Sequence, residues 1–262
     1  MLVPDRFRVM VVRLVLLVLL VWASSGMELR AADDLAGAPP ALAVALTKLL
    51  ADEDHWASTR TSRYFDKDGK LERTDVERYD PSLPDDQQWR LLLRNGRPPS
   101  VAEQKSWLRT RTREMRRRGR PLGAIMDFAA AILAEETRTH WAYSIPIKAG
   151  ASRRLPAEKF FVLAQVHKER GELDRIAIRT TEAFRVAGVA RVENVEADAR
   201  FNVIDPQYAA QPAQFTAMGS AKVAWLFRVG GRLETEWSQF ERVEPYSSRF
   251  NVTIGELKAL DF

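Results

Sequence analysis

The sequence predicts an α+β fold: a strongly curved antiparallel β-sheet, a half-barrel of about nine strands, with helices covering its concave face. The main observation is an alternating apolar pattern between residues 139 and 201, in which Trp141, Tyr143 and Ile145 occupy every second position. A second observation is that the links between predicted strands are short enough for antiparallel pairing, except for a helical stretch at 95–138. Because alternation leaves one apolar face that needs cover, we expect these helices to lie on the sheet.

The N-terminus has the layout of a secretory signal peptide. Three arginines, Arg6, Arg8 and Arg13, precede an apolar run at residues 14–22, and small residues follow it. The apolar run is shorter than the roughly 20 residues that a membrane-spanning helix needs. We expect residues 1–25 to be removed on export. Cleavage after Ala31 and a retained N-terminal anchor helix are the alternatives.

The mature chain is expected to be a single domain in the bacterial periplasm. Residues 26–40 are mostly small or polar and end in proline, which predicts a flexible leader, and residues 41–262 are expected to form the domain. The sequence contains no cysteine. It therefore excludes a lipid-modified cysteine, a disulfide framework and thiol chemistry.

The first elements after the leader are a helix and a hairpin. Pro40 begins an amphipathic helix that we expect to reach about Asp52, because leucine and alanine recur at the spacing of one helical face. Residues 66–69 (DKDG) predict the turn of the hairpin that follows. A calcium loop is disfavoured there, since its fifth position is Lys70, which offers no oxygen ligand.

The most basic segment of the chain is a predicted helix that begins after Ser100 and reaches Arg118. Ser100 and Glu103 form a capping box, and Gly119 is a natural C-terminal stop. Residues 105–120 hold one lysine and seven arginines against one glutamate, although the net charge of the whole chain is only +5. Six of these residues form a continuous stripe at helical spacing: Lys105, Arg109, Arg113, Arg116, Arg117 and Arg120. The stripe predicts contact with an anionic envelope surface, with a solvated helix face as the alternative.

Other patterns predict the rest of the helical layer and the last strands. Three apolar residues seven positions apart predict the packing face of the basic helix: Val101, Leu108 and Met115. Residues 122–136 predict a second helix, so that the domain carries a helical insertion near 100–136. Residues 205–220 break all periodicity and predict a long surface loop. Gly230 and Gly231 predict the turn of the last hairpin.

This order of elements resembles the LolA/LolB-like half-barrel fold of bacterial envelope proteins. The resemblance rests on the amphipathic helix 42–50 before an early hairpin, and on strand-like segments at 56–80 and 140–201. Residues 55–59 (HWAST) stand where lipoprotein carriers have a phenylalanine-glutamine segment, and no residue here is matched to their buried arginine. The resemblance implies a fold, with a hydrophobic cavity as its usual use. It carries over neither lipoprotein transport nor any functional residue.

The chain lacks the motifs of common enzyme classes. No G-x-S-x-G, H-E-x-x-H or glycine-rich phosphate loop occurs. His55, His140 and His167 fall on separate predicted strands, and strand residues cannot be assigned to one site without pairing information. Glu135 and Glu136 beside His140 are an acid–base alternative. We therefore expect a non-enzymatic protein without metal or cofactor.

Aromatic residues on the predicted strands either fill the core or line a cavity. Eight of them are candidate cavity walls: Trp56, Trp89, Trp141, Tyr143, Phe161, Trp225, Phe227 and Trp237. The leading hypothesis is a periplasmic protein that binds a lipid or acyl chain between sheet and helices. The alternative is an envelope interaction or scaffold protein with a filled core. No nucleic-acid partner is expected, and the sequence leaves the oligomeric state open.

Overall fold

The computed structural model describes residues 35–52, 55–117, 122–150, 156–186, 190–223 and 227–250. The predicted signal peptide and most of the predicted leader lie outside the described residues. Within the described ranges, no helix is both long and apolar enough to span a membrane.

The described fold contains two α-helices and eleven strands. The helices are α1 (Pro40–Asp52) and α2 (Val101–Arg117). The strands are β1 (Trp56–Phe65), β2 (Leu71–Tyr79), β3 (Trp89–Arg94), β4 (Ile132–Glu136), β5 (His140–Ile145), β6 (Phe160–His167), β7 (Glu172–Thr180), β8 (Phe184–Val186), β9 (Ala190–Asn202), β10 (Gln211–Val223) and β11 (Phe227–Arg242). Short 3₁₀-helices cover Leu122–Ala124, Ala157–Lys159 and Tyr246–Phe250.

All eleven strands belong to one open sheet with antiparallel pairing. The strand order is β3-β2-β1-β11-β10-β9-β7-β6-β5-β4, and the short β8 pairs with β9. Most neighbours in the sheet are also neighbours along the chain, as short links dictate. The long-range exception is β1, which pairs with β11. The prediction of an open antiparallel sheet is confirmed, and the sheet has more strands than predicted.

The segment with the alternating apolar pattern, residues 139–201, does contain strands, among them β5, β6 and β7. Tyr143 pairs with Ala164, and Ala164 pairs with Ile176, so these residues share one face of the sheet. The chain reverses between β6 and β7, which pair antiparallel. Gly171 lies in that turn with a φ of +60°, a conformation that glycine adopts without a steric penalty.

The predicted first helix and first hairpin are both present. α1 buries Leu42, Ala45 and Leu46, and it packs against β7 and β6. In the hairpin turn, one carboxylate oxygen of Asp66 accepts the backbone N–H groups of Asp68 and Lys70, each at 2.9 Å. These bonds, chiefly that from Lys70, lower the pKa of Asp66. The aspartate therefore acts as a turn former.

The helix predicted over residues 122–136 is wrong. Only Leu122–Ala124 is helical, as a 3₁₀ turn, and the end of the segment is β4, which pairs with β5 at the edge of the sheet. Between them, the N–H of Asp127 donates to the carbonyl of Pro146, and that of Lys148 donates to Ile125, both at 2.8 Å. Pairing with the chain after β5 thus satisfies backbone groups that a helix would otherwise satisfy, so tertiary contacts override the local pattern.

The predicted loop at 205–220 is also wrong, because β10 begins at Gln211. The buried positions of β10 include Ala217 and Ala221, and such small side chains give a weak alternating signal. Gly230 and Gly231 are not a turn either; they lie inside β11. A Cβ on Gly230 would lie 2.5 Å from the carbonyl oxygen of Gly219 on β10, and one on Gly231 would lie 2.6 Å from that of Phe65. The glycines permit close approach of neighbouring backbones.

The capping box at the start of α2 is confirmed. The N–H of Ser100 donates to Glu103 Oε2 at 2.8 Å, and the N–H of Glu103 donates to Ser100 Oγ at 3.3 Å. Arg97 also donates to both carboxylate oxygens, at 2.9 and 3.0 Å. The bond from Arg97, followed by those from Ser100, lowers the pKa of Glu103 to about 2.

The substitution Glu103→Gln is expected to remove part of the acid sensitivity of the protein. The folded-state pKa of about 2 lies below the usual 4.5, so the ionised carboxylate stabilises the fold above pH 4.5 and this contribution is lost as the pH falls to 2. Melting temperatures measured by circular dichroism should therefore differ between wild type and variant at neutral pH and converge in acid. Glu72→Gln, an exposed change on β2, is the control. A difference that stays constant with pH would contradict the assignment.

Candidate ligand-binding face

One face of the sheet, here called the inner face, is defined by rows of directly paired residues. The first row runs across eight strands from β5 to β2: Tyr143, Ala164, Ile176, Ala199, Phe215, Thr235, Ser62 and Asp75. The next row is parallel to it: Ile145, Val162, Ile178, Ala197, Ala217, Leu233, Tyr64 and Arg73. Leu42 and Leu46 of α1 join the same buried cluster as Val162 and Ile176, so α1 packs on this face.

The inner face is apolar from β5 to β11, and its centre is made of small residues. On β9 and β10 the inner positions include Ala197, Ala199, Ala217, Gly219 and Ala221. Larger side chains lie on both sides of them, on β6 and β7 and on β11. We call these small residues the low floor. α1 packs chiefly on β7 and β6, and Ala197, Ala217 and Ala221 are buried in the same cluster as the helix.

The inner face becomes polar at the border between β11 and β1. Thr235 and Ser62 contact each other through their hydroxyl oxygens at 3.1 Å. Past them, on β1 and β2, Arg60 and Glu77 are buried, with exposed fractions of 4% and 2%. The sheet therefore presents an apolar half and a polar half on the same side.

α2 covers the polar half with a tryptophan and an arginine. Glu77 accepts hydrogen bonds from Arg60 Nε at 2.8 Å and from Arg111 Nη2 at 2.7 Å, and a further bond from Trp107 Nε1. The guanidiniums of Arg60 and Arg111 lie 4.8 and 4.5 Å from the ring centre of Trp89. We call these five residues the buried charge cluster.

Asp75 extends the charged region along β2. Arg94 Nε and Arg73 Nε lie 2.9 and 3.1 Å from its carboxylate oxygens. The hydrogen bond to Asp75 raises the pKa of Arg94. Arg73 also stacks on Tyr64 at 4.0 Å, and burial, followed by the charge of Glu77, raises the pKa of that tyrosine.

The predicted packing face of α2 is wrong. Val101 is 87% exposed and Leu108 is 41% exposed, and the side chain of Met115 lies outside the described part of the chain. Trp107 and Arg111, one helical turn apart, make the buried face instead. The surface beneath the helix is charged and aromatic. Arg111, which reaches Glu77, is therefore buried, and Leu108 is exposed. The sequence signal that could have predicted this buried face was Trp107, one helical turn before Arg111.

The predicted cavity walls do not form one group. Tyr143, Trp141 and Trp237 belong to the apolar half or pack against it. Trp89 lies in the buried charge cluster. The others are at separate places: Trp56 contacts Tyr208 and Phe240, Phe161 and Phe227 are each 38% exposed, and Trp225 lies outside the described residues.

The predicted basic stripe is described only at its start. Lys105 and Arg109 are exposed on α2. Arg113, Arg116 and Arg117 lie in the last turns of the helix, and their side chains are outside the described part. Arg120 lies outside the described residues altogether.

The structure brings two of the three histidines together. His140 on β5 pairs with His167 on β6, whereas His55 precedes β1. Nε2 of His140 lies 2.6 Å from Asp174 Oδ2. The acid–base alternative with Glu136 is not formed, since Glu136 accepts hydrogen bonds from Lys168 at 2.5 Å and from Trp141. The bond from Lys168 lowers the pKa of Glu136.

Comparison of the chain with protein-family models, with curated proteins and with solved structures gives no match in any of the three.

Proposed function

We propose that this protein binds a lipid or acyl chain on the apolar half of the inner face, and that it does so in the periplasm without catalysing a reaction. In this proposal the open sheet curves into a LolA/LolB-like half-barrel, with α1 and α2 over its concave face. The observation that carries the proposal is the low floor of alanine and glycine on β9 and β10 between strands with larger apolar side chains.

Small residues at the centre of an apolar face suit a ligand made of methylene groups. Each methylene that leaves water contributes about 0.8 kcal/mol, so a long acyl chain needs no charged partner to bind. The floor is bounded on one side by Thr235 and Ser62, where the polar half begins, and on the other by Ile176 and Ile178 beneath α1. These borders favour an elongated apolar molecule that lies along β9 and β10.

The exposed side of α2 would hold the protein on an anionic surface. Lys105 and Arg109 are exposed there, while Arg111 is committed to Glu77. Each basic residue close to an anionic membrane surface contributes about 1 kcal/mol. The proposed contact is therefore weak and reversible, as suits a protein that exchanges an apolar ligand.

The substitution Ala217→Phe is expected to abolish ligand binding. The new ring would occupy the floor of the apolar half, because Ala217 is 3% exposed and faces inward. Met218, the next residue of β10, faces outward and is 44% exposed, so Met218→Phe is the matched control. Native mass spectrometry of gently purified protein, with and without added fatty acid, should show the ligand in the wild type and in Met218→Phe only.

The stability of Ala217→Phe separates a ligand site from a filled core. In a filled core, the larger side chain would lower the free energy of unfolding by typically about 1–3 kcal/mol. In a ligand site, the phenylalanine ring would take the volume that the ligand otherwise fills. The free energy of unfolding of the ligand-free protein would then fall by less. A strongly destabilised variant, together with wild-type protein that neither carries nor takes up lipid, would favour the scaffold alternative.

A further inference from the structure

Two histidines and an aspartate meet on the outer face, the side of the sheet opposite α1. The rings of His140 and His167 pack edge to face, with centroids 5.1 Å apart. Asp174 on β7 reaches His140, and one potential ligand atom from each of the three residues lies within 4.8 Å of the other two. All three residues are partly buried, so each is held in place yet reachable from solvent. We call them the outer-face cluster.

A β-bulge brings Asp174 into the cluster. Val166 pairs with Leu173 and Gln165 pairs with Arg175, so Asp174 is an extra residue on β7. Bulges commonly re-aim a side chain, and here the aspartate is directed across β6 toward β5. Since adjacent strands are about 4.8 Å apart, a regular ladder would keep residues on β5 and β7 roughly twice that distance apart.

We propose that the outer-face cluster is a binding site for a divalent transition metal, with Zn²⁺ as the ion that fits it best. Imidazole nitrogen and carboxylate oxygen are zinc ligands, and three protein ligands with an open fourth position form a common zinc arrangement. Ligands of a tetrahedral zinc ion lie roughly 3.3 Å apart. His140 and Asp174, now 2.6 Å apart, would therefore separate by less than 1 Å.

Neighbouring groups orient the ligands for this role. Thr139 Oγ1 lies 2.8 Å from His140 Nδ1, which leaves Nε2 directed at Asp174. Arg170 Nη2 donates to Asp174 Oδ1 at 2.7 Å, so Oδ2 is the oxygen that faces the histidines. Such contacts behind the ligands fix ring orientation and set metal affinity.

The charges around the cluster favour a cation. Arg170 is a positive group in direct contact with the cluster, and it lies between two carboxylates: 2.7 Å from Asp174 and 3.5 Å from Glu172. Glu172 pairs directly with His167 and is 7% exposed. With all three ionised, this group carries one net negative charge, which attracts a cation.

Calorimetric titration with Zn²⁺ alone tests the proposal, using the full chain without a histidine tag and after treatment with chelator. We expect one ion per chain for the wild type, and at least about 100-fold weaker binding for His167→Gln and for Asp174→Asn. His55→Gln removes the third histidine, which lies away from the cluster, and should bind like the wild type. Zn²⁺ should also raise the melting temperature of the wild type but not of Asp174→Asn.

Two results would overturn the proposal. One is wild-type protein that shows no saturable Zn²⁺ binding, and the other is His55→Gln weakening the binding as much as His167→Gln. If either variant of the cluster fails to fold, visible absorption of the wild-type Co²⁺ complex decides the matter, because tetrahedral nitrogen ligation gives intense bands and aqueous Co²⁺ does not. Lipid binding on the inner face is measured separately and should be unaffected by chelator.

Discussion

Glu77→Gln is expected to lower the free energy of unfolding by about 3–5 kcal/mol. The carboxylate is 2% exposed and accepts hydrogen bonds from the guanidiniums of Arg60 and Arg111, which are each 4% exposed. Glutamine keeps the shape but removes the negative charge, and its amide hydrogens would face other donors. Two buried positive charges would then remain without the carboxylate that they share, and removing one partner from a buried charge network is strongly destabilising.

Urea unfolding followed by tryptophan fluorescence measures this effect, and Trp89 and Trp107 lie inside the buried charge cluster. Glu72→Gln, at an exposed position of the same strand, is the matched control and should stay within about 0.5 kcal/mol of wild type. If Glu77→Gln lowered the free energy of unfolding by less than about 1 kcal/mol, the buried positive charges of Arg60 and Arg111 would not need the negative charge of Glu77. We also expect α2 to lose its contacts with the sheet first, because Arg111 and Trp107 of α2 both bind Glu77.

Gly230→Ala is the second substitution with a large expected effect. The added Cβ would lie 2.5 Å from the carbonyl oxygen of Gly219 and 3.2 Å from the Cα of Ser220, both backbone atoms of β10. Backbone cannot move aside as a flexible side chain can, so β10 and β11 would have to separate locally. We expect a loss of about 1–3 kcal/mol or more in the free energy of unfolding, although alanine normally suits a strand no worse than glycine.

Ser238→Ala provides the control for this prediction, because Ser238 is exposed on the same strand and lies away from the close approach. It should change the free energy of unfolding by no more than about 0.5 kcal/mol. Hydrogen exchange would locate the damage at the β10–β11 ladder. Equal stability of Gly230→Ala and wild type would show that the strands are further apart than the structure has them.

Local patterns in the sequence were sufficient to predict a strand where one face of that strand is strongly apolar. Trp141, Tyr143 and Ile145 alternate with smaller or more polar residues, and β5 forms there. The cap at Ser100 and Glu103 and the turn at Asp66 were predictable for the same reason, since each depends on residues close in sequence. Such features need no knowledge of which strands are neighbours.

Features that depend on strand pairing were not predictable. Residues 122–136 have a helical apolar spacing, yet their end pairs with β5. The partnership of Glu77 with Arg111 joins β2 to a helix 34 residues later. His140 and His167 were predicted to lie on different strands, but their contact follows from the β5–β6 register. A single sequence does not contain that register explicitly.

The pairing of β1 with β11 has a consequence for how the molecule is made. Trp56 lies opposite Arg242, so the first strand finds one of its two neighbours only after nearly all of the chain has been synthesised. Closing so long a loop is slow, because its entropy is lost before the new contacts form. Until then one edge of β1 lacks its partner strand, so we expect the sheet to be completed only after β11 has been made.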